Sequence, residues 1–331
     1  MNILITGGAG FIGCHTADYF AQYHKVRVID SLVRKGSEFN LKWLQNNHKI
    51  EFANVDICDS EAILNEVKNF CPDAVIHLAA QVAVTTSVTH PREDFNINSL
   101  GTLNLLEAIR QYAPNATLVF ASTNKVYGNM EDIACERQGK RYTYIDYPKG
   151  ADEKRPLDFH SPYGCSKGSA DQYVRDYARI YGLKTVVFRM SCIYGTRQFG
   201  IEDQGWVAWF IIAFLVKKKL TIYGDGKQTR DFTYVTDIAR AILVSAKSDR
   251  VGQIYNVGSG ATVSVNHLVE LLGGERVHIP KRPGEPDSTF ADISKIQSEL
   301  GWEPQVPIEE GVAEILKHID YWGDAPVWSP D

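Results

Sequence analysis

The chain is short of the features that mark several protein classes. It has six cysteines in 331 residues, Cys14, Cys58, Cys71, Cys135, Cys165 and Cys192, too sparse and too irregular for a disulfide framework or a zinc site. Its nine histidines show no metal-ligand spacing, and no metal is expected. Basic residues are not in excess: 35 Lys and Arg against 40 Asp and Glu leave a net charge of −5. That balance argues against a nucleic-acid or anionic-membrane surface, though a few local arginines suffice for a small anion. The longest apolar run, Trp206 to Val216, stops at Lys217-Lys218-Lys219, well short of the roughly 20 residues a membrane helix needs; it reads as a core helix. Met1-Asn2-Ile3-Leu4-Ile5-Thr6 enters an apolar strand with no cationic lead, so no secretory signal is expected. A cytoplasmic home is the simplest expectation, and repeats and low-complexity segments are absent.

What is present is a 44 % hydrophobic chain long enough for one large domain or two modest ones. Ile3–Thr6, Val26–Asp30, Glu51–Asn54, Ala74–Leu78 and Thr117–Ala121 read as strands. Phe11–Tyr23, Ser60–Phe70 and Phe95–Tyr112 carry apolar residues at helical spacing. Strands alternating with helices predict βαβ units and a parallel sheet. Ser161–Tyr181 predicts a further helix leading into the strand Lys184–Arg189. Met130–His160 has no sustained period and reads as a long functional loop. Beyond residue 190 the alternation weakens, and short helices at Val235–Lys247, Val263–Leu272 and Ile308–Trp322 suggest a smaller irregular lobe.

Gly7-Gly8-Ala9-Gly10-Phe11-Ile12-Gly13 lies between the first strand and the first helix, and Asp30 ends the second strand. Gly7 permits the tight turn, Gly10 admits a pyrophosphate to the backbone, and Gly13 lets helix and strand pack closely. The helix N-terminus then offers unpaired N–H groups to phosphate. A carboxylate at Asp30 accepts hydrogen bonds from a ribose 2′-hydroxyl and repels a 2′-phosphate, so NAD is expected. Arg34 and Lys35 lie close enough to leave NADP as the other cofactor.

Tyr163 and Lys167 are four apart near the start of a predicted helix, so they share a face. A tyrosine with a pKa of about 10 works as a base near neutrality only if that value drops by about 3 units, or about 4 kcal/mol. One ammonium about 5 Å away at an effective dielectric of about 20 supplies roughly 3 kcal/mol of this. Lys167 is therefore expected to lower the Tyr163 pKa, and Ser122-Thr123 follow the fifth strand.

With these motifs on the page, the chain resembles the extended short-chain dehydrogenases/reductases, the NAD-dependent epimerase/dehydratase family that modifies nucleotide sugars. The likeness spans nearly the whole chain. It includes Asp56-Ile57, His77-Leu78-Ala79-Ala80, Asn98 with Gly101-Thr102, Arg230-Asp231-Phe232, Asn256-Val257-Gly258 and Arg282-Pro283-Gly284. It implies an α/β fold, a Rossmann-type doubly wound parallel sheet with a smaller irregular C-terminal substrate lobe. Residues 1–189 would be the NAD-binding domain with the Tyr/Lys helix, and 190–331 mainly the nucleotide-sugar lobe, with strands able to return to the sheet. It further implies that Gly7, Gly10, Phe11, Ile12, Gly13, Asp30, Arg34, Asp56, Ile57, Leu78, Ala79, Gln81 and Asn98 hold NAD, together with Tyr163 and Lys167. Thr123, Tyr163 and Lys167 would be catalytic, and Arg230 and Arg282 would hold the diphosphate. A homodimer or homotetramer follows by the same analogy.

Two departures bear on the reaction. Dehydratases of this family carry Asp-Glu after the active-site threonine, whereas this chain has Asn124-Lys125. Cys192 stands where many relatives have asparagine. Thr123-Asn124-Lys125-Val126-Tyr127-Gly128, Arg141-Tyr142-Thr143 and the run from Asp158 to Gly168 are similar to the CDP-paratose (CDP-tyvelose) 2-epimerase subgroup. So are Arg197-Gln198-Phe199 and Asp203-Gln204-Gly205-Trp206. The subgroup implies a CDP-sugar substrate, with Arg197, Gln204 and Asn124 as further substrate contacts. It implies transient oxidation at carbon 2 and hydride return to the other face. A UDP-sugar 4-epimerase on the same fold, and an idle dinucleotide sensor or scaffold, are the competing readings. Trp206 and Trp209 read as core before pocket wall, and Cys165 as a packing residue.

Overall fold

Short aliphatic and β-branched runs become strands wherever turn residues bound them. In the computed structural model, which describes residues 1–200, 205–215, 218–281 and 285–322, the first eight are β1 (Asn2–Thr6), β2 (Lys25–Asp30), β3 (Glu51–Asn54), β4 (Ala74–His77), β5 (Thr117–Thr123), β6 (Cys135–Gln138), β7 (Arg141–Tyr144) and β8 (Lys184–Met190). There follow β9 (Cys192–Tyr194), β10 (Leu220–Tyr223), β11 (Thr229–Arg230), β12 (Phe232–Tyr234), β13 (Gln253–Val257), β14 (Val263–Ser264), β15 (Arg276–Ile279) and β16 (Ser288–Thr289). The helices are α1 (Phe11–Ala21), α2 (Ser37–Asn47), α3 (Ser60–Phe70), α4 (Val84–Thr89), α5 (Pro91–Phe95), α6 (Gly101–Tyr112) and α7 (Ser161–Tyr181). After them come α8 (Trp206–Leu215), α9 (Val235–Ala246), α10 (Val265–Leu272), α11 (Ser294–Leu300) and α12 (Ile308–Lys317).

The chain divides into two compact units that interleave in sequence. The first comprises Met1–Val126, Phe159–Arg189 and Ile238–Tyr255; the second comprises Tyr127–Asp158, Met190–Asp237 and the described part of Asn256–Asp331. The expected cut at 189/190 places residues 127–158 with the first domain and allows strands beyond 190 to return to the sheet. The chain returns to the first unit at 238–255 because β13 adds to the sheet edge beside β8. Residues 127–158 join the second unit, where Tyr142 N donates to Lys227 O and Ala151 N to Phe290 O.

The first unit is built on a seven-stranded sheet of order β13-β8-β5-β4-β1-β2-β3. The β1–β2, β1–β4, β2–β3 and β4–β5 pairings are all parallel. The order reverses between β1 and β4, and in open α/β sheets ligands bind beyond the carboxyl ends of strands at that point. α3 shows why such helices form. Asp59 caps its start, accepting from Ala62 N at 3.0 Å, worth about 1 kcal/mol. Ile63, Val67 and Phe70 then bury one face in a core shared with Leu4, Val75, Leu106 and Val187.

The second unit has small sheets: β11 flanked by β14 and β16, and the pairs β10–β15, β12–β9 and β6–β7. Its own core gathers Tyr194, Phe210, Ile211, Phe232, Leu268 and Val312. No helix among the described residues is long and apolar enough to cross a membrane, and the apolar run 206–215 is the helix α8.

Several local expectations need amendment. Met130–His160 contains an antiparallel hairpin, Cys135↔Tyr144 to Gln138↔Arg141, turned through Gly139 at φ +61. β6 is mostly exposed and β7 buries only Tyr144, so the pair lacks a two-residue hydrophobic period. Phe95–Tyr112 is not one regular helix: helical turns start at Pro91, and a π turn occupies Asn96–Leu100. Val84–Thr89, a β-branched run, folds as α4.

Candidate active site

The glycine loop closes to backbone contact. Gly7 sits at φ +68, where a Cβ would lie 2.6 Å from Ala79 N, and a Cβ on Gly13 would lie 2.1 Å from Gly7 O. Gly10 meets only Gly7 O, at 3.1 Å, so its other side can be approached by a ligand. α1 begins just beyond it without a side-chain cap, leaving N–H groups of its first turn, Phe11 and Ile12 among them, unanswered by a side chain. Asp30 lies at the end of β2, its carboxylate accepting from Ala9 N at 3.0 Å and Leu32 N at 2.8 Å. Burial raises its pKa against these bonds. A carboxylate has about four lone-pair sites, so capacity remains for ribose hydroxyls. A strand–turn–helix where only glycine fits, with an acceptor beside it, suits a dinucleotide.

The remaining cofactor candidates of the first unit surround this loop in sequence and topology. Leu78 N donates to Thr6 O at 3.1 Å and Ala79 N to Thr6 Oγ1 at 3.3 Å, which ties the β4 loop to the end of β1. Asn98, in the π turn, accepts from Gln81 N at 2.9 Å and donates to Gln81 O at 3.0 Å. Asp56 is exposed and accepts from Cys58 N at 2.8 Å. The Ile57 side chain is buried in the core beneath Gly101. Arg34 is exposed.

Tyr163 and Lys167 do share the buried face of α7. Thr123, at the end of β5, stands beside the Tyr163 phenol, and Tyr163 N donates to Ser87 Oγ on α4 at 3.1 Å. The expected lowering of the phenol pKa is not seen. Burial pushes it up to about 12, the charge of Asp94 adds to the rise, and the neighbouring Thr123 hydroxyl opposes both. The reason is desolvation, together with the orientation of Lys167: its Nζ donates to Ala121 O at 2.6 Å and lies 4.4 Å from the Phe120 ring centroid. Burial brings the Lys167 ammonium down to about 8, while Asp171 and Asp94 hold it up.

Three residues near this cluster were missed by sequence reasoning. Asp171 follows Lys167 by one helical turn and accepts from Ser122 Oγ at 2.8 Å and from Arg189. Asp94 and Ser166, both buried, bond to each other. The only sequence signal was the i, i+4, i+8 spacing of Tyr163, Lys167 and Asp171, which marks a face but not what packs on it.

In the second unit, Arg230 is buried, its Nη1 donating to Thr229 O at 2.8 Å and its Nη2 to Glu285 at 2.7 Å. Its neighbour Asp231 accepts from Ser259 N, Ser259 Oγ and Ser191 Oγ, and burial pushes its carboxyl up to about 6. Arg197 is half-buried at φ +61. Gln204 and Arg282 lie outside the described residues. Asn124, in the first unit, begins a short 3₁₀ turn after β5. Trp209 packs on the second unit's core, and Cys165 is exposed. Among the described residues no cluster of His, Cys, Asp or Glu is arranged to hold a metal.

A family profile described as GDP-mannose 4,6 dehydratase matches residues 4–315. The chain is 43 % identical to a CDP-paratose 2-epimerase of Salmonella typhi, over 95 % of this chain and 98 % of that protein. Among solved structures, a UDP-glucose 4-epimerase of Thermotoga maritima with UDP-glucose superposes with a TM-score of 0.83 at 34 % identity, covering 98 % of this chain and 99 % of that one. A Thermus thermophilus UDP-glucose 4-epimerase in complex with NAD gives 0.81 at 34 % identity, covering 96 % and 99 %.

Proposed function

The chain belongs to the GDP-mannose 4,6 dehydratase family of NAD-dependent nucleotide-sugar epimerases and dehydratases, and on that premise we propose that it is a 2-epimerase converting CDP-paratose to CDP-tyvelose. The observation that carries this reading is the buried face of α7 that holds Tyr163 and Lys167 together, with Thr123 ending β5 beside the phenol. It sets a phenol and a hydroxyl together, where both can reach one substrate oxygen. The choice of sugar and nucleotide is supported by the likeness to the Salmonella typhi enzyme. Elimination is disfavoured because Asn124 and Lys125 follow Thr123, and neither is the carboxylic acid that removing water from neighbouring carbons requires.

Carbon 2 of such a sugar has no adjacent carbonyl, so its hydrogen is not acidic enough for simple deprotonation. NAD, held by Gly7, Gly10, Gly13 and Asp30, supplies when bound a hydride acceptor and a positive charge that favours the phenolate. Tyr163 takes the proton of the 2-hydroxyl and later returns it. Thr123 steadies the oxygen on which charge changes. Lys167 adds a cation to a site that burial otherwise makes hostile to an ionised phenol. The sugar must turn while its nucleotide stays anchored; Arg230, with Arg197, Arg282, Gln204 and Asn124, are the proposed contacts. We assign the chain to the cytoplasm, and to a homodimer or homotetramer; the oligomer is supported by exposed Tyr112, Tyr173 and Ile180 on α6 and α7 and is testable by light scattering.

Incubation with CDP-paratose in deuterated water tests the reaction. CDP-tyvelose should form with no solvent deuterium at carbon 2. Deuterium there overturns internal hydride return, and much faster turnover of a UDP-hexose overturns the substrate.

A further inference from the structure

Asp94 lies in α5, just before the π turn, and only 1 % of its surface meets solvent. Three donors from three segments converge on its carboxylate. Ser166 Oγ donates to Oδ2 at 2.5 Å, while Gln81 Nε2 and Asn98 Nδ2 donate to Oδ1 at 2.8 and 3.1 Å. Asn98 Nδ2, whose two N–H groups also serve Gln81 O, donates to Ser166 Oγ at 3.0 Å, and the serine proton has its shorter bond to Asp94, at 2.5 Å against 3.2 Å to Tyr163 O. All three partners are donors, the pattern of an ionised, acceptor-only carboxylate. Yet Asp94 makes no ion pair among the described residues.

A buried charge without a counter-charge opposes folding, so the local charge inventory matters. Asp171 is answered by Arg189, with two bonds of 2.9 Å. His77 faces Lys167 but is held neutral by burial and by that charge. The charge of Asp94 acts on the Tyr163 phenol, with Thr123 opposing it, and Lys167 feels the charges of Asp171 and Asp94 and acts on His77. Two carboxylates and two cations therefore balance, and once Asp171 is matched with Arg189 the remainder is Asp94 with Lys167. Ser166, which Asp94 clamps, stands between Tyr163 and Lys167 on α7, and Gln81 and Asn98 belong to the segments joined across the cofactor loop.

We propose that Asp94 is a positioning residue of the Tyr163–Lys167 pair: its carboxylate clamps Ser166 between them and supplies the negative charge that the Lys167 ammonium balances. The inference rests on the reading of Tyr163 as the acid/base group, but its charge balance can be tested apart from turnover.

The first test is a stability cycle in urea at pH 7 on the full chain, with wild type, Asp94→Asn, Lys167→Met and the double variant. Lys167→Met leaves the Asp94 charge uncompensated, so adding Asp94→Asn should raise the folding constant of Lys167→Met at least tenfold. The same rescue is expected if Asp94→Asn alone fails to fold. Strict additivity, or a double variant less stable than Lys167→Met, overturns the proposal. The second test is the pH profile of kcat. Where Asp94→Asn folds, both limbs should move to lower pH by about one unit, since loss of a nearby anion eases ionisation of the phenol and deprotonation of the ammonium. Ser166→Ala, which keeps the charge, should lower kcat without moving either limb. Limbs unmoved in Asp94→Asn overturn the electrostatic role. Tyr163→Phe run alongside separates the two ideas: if it retains turnover the acid/base reading fails, while the stability cycle still judges Asp94 against Lys167.

Discussion

Arg189 grips Asp171 through two hydrogen bonds of 2.9 Å, Nε to Oδ2 and Nη2 to Oδ1, with both side chains out of solvent. The pair joins α7 to β8 one helical turn beyond Lys167, and Ser122 Oγ adds a third donor to the same carboxylate. Removing one partner strands the other charge in a medium that cannot solvate it. Asp171→Ala should therefore cost about 3–5 kcal/mol, whereas Asp171→Leu with Arg189→Met should recover most of that loss. Urea denaturation midpoints measure both. A single variant within about 0.5 kcal/mol of wild type would show that the pair is not a stabilising tie.

Tyr163→Phe removes the phenolic proton but leaves the ring that fills its buried place. Turnover should fall by about 10²–10⁴-fold, the usual range for a positioned acid/base group, while NAD retained by the purified protein stays the same. Cofactor content by absorbance and initial rates decide it. Undiminished rates would remove Tyr163 from its proposed role.

Gly13→Ala places a methyl 2.1 Å from Gly7 O and 2.6 Å from the Cα of Gly8. Both are backbone atoms and cannot swing aside, so α1 must lift from β1. Overpacking of this kind typically costs about 1–3 kcal/mol. The same displacement should cut NAD retention at least tenfold, read as bound cofactor after gel filtration.

His77 supplies a pH dependence with a definite sign. Thr102 Oγ1 donates to Asn98 O at 2.6 Å, so it accepts from His77 Nε2 at 2.9 Å, and Thr6 Oγ1 donates to Nδ1 at 2.7 Å. That network holds a neutral imidazole, and burial with the Lys167 charge pushes its pKa down to about 3. The unfolded chain, near 6.5, binds the proton first. His77 therefore stabilises fully above about pH 6.5 and loses that contribution as pH falls toward 3. Between pH 7 and pH 4 wild type should lose about 3 kcal/mol more than His77→Gln. Parallel urea titrations across that window check it, and equal slopes would refute the assignment.

Legibility followed physical range. The β1 to β5 strands and α3 were readable because a core on one or both faces imposes a short hydrophobic period. α4 was not: Val84-Thr85-Thr86-Ser87-Val88-Thr89 has strand-forming residues, yet Ser87 must meet Tyr163 N, and that tertiary bond accompanies a helical turn. The β6–β7 hairpin escaped because β6 is mostly exposed and β7 buries only Tyr144, so neither carries a buried alternation. Asp94 escaped for a different reason. In Pro91-Arg92-Glu93-Asp94 it looks like any acid in a helix's first turn, and only the packing of α7 against it withdraws it from water.

By itself the amino-acid order determined the chemical groups and their local spacing: three glycines at a strand–helix junction, an acid at the end of the next strand, and a tyrosine one turn before a lysine. These are properties of a few consecutive residues, and backbone geometry alone translates them into shape. The working electrostatics were decided in three dimensions. Lys167 turns to Ala121 O, Thr123 meets the phenol, and Asp94 and Asp171 arrive from elsewhere on the chain or helix to set the charge balance. Coulomb energies depend on separation in space and on how much water is excluded, and neither quantity is written in the distance between residues along a chain.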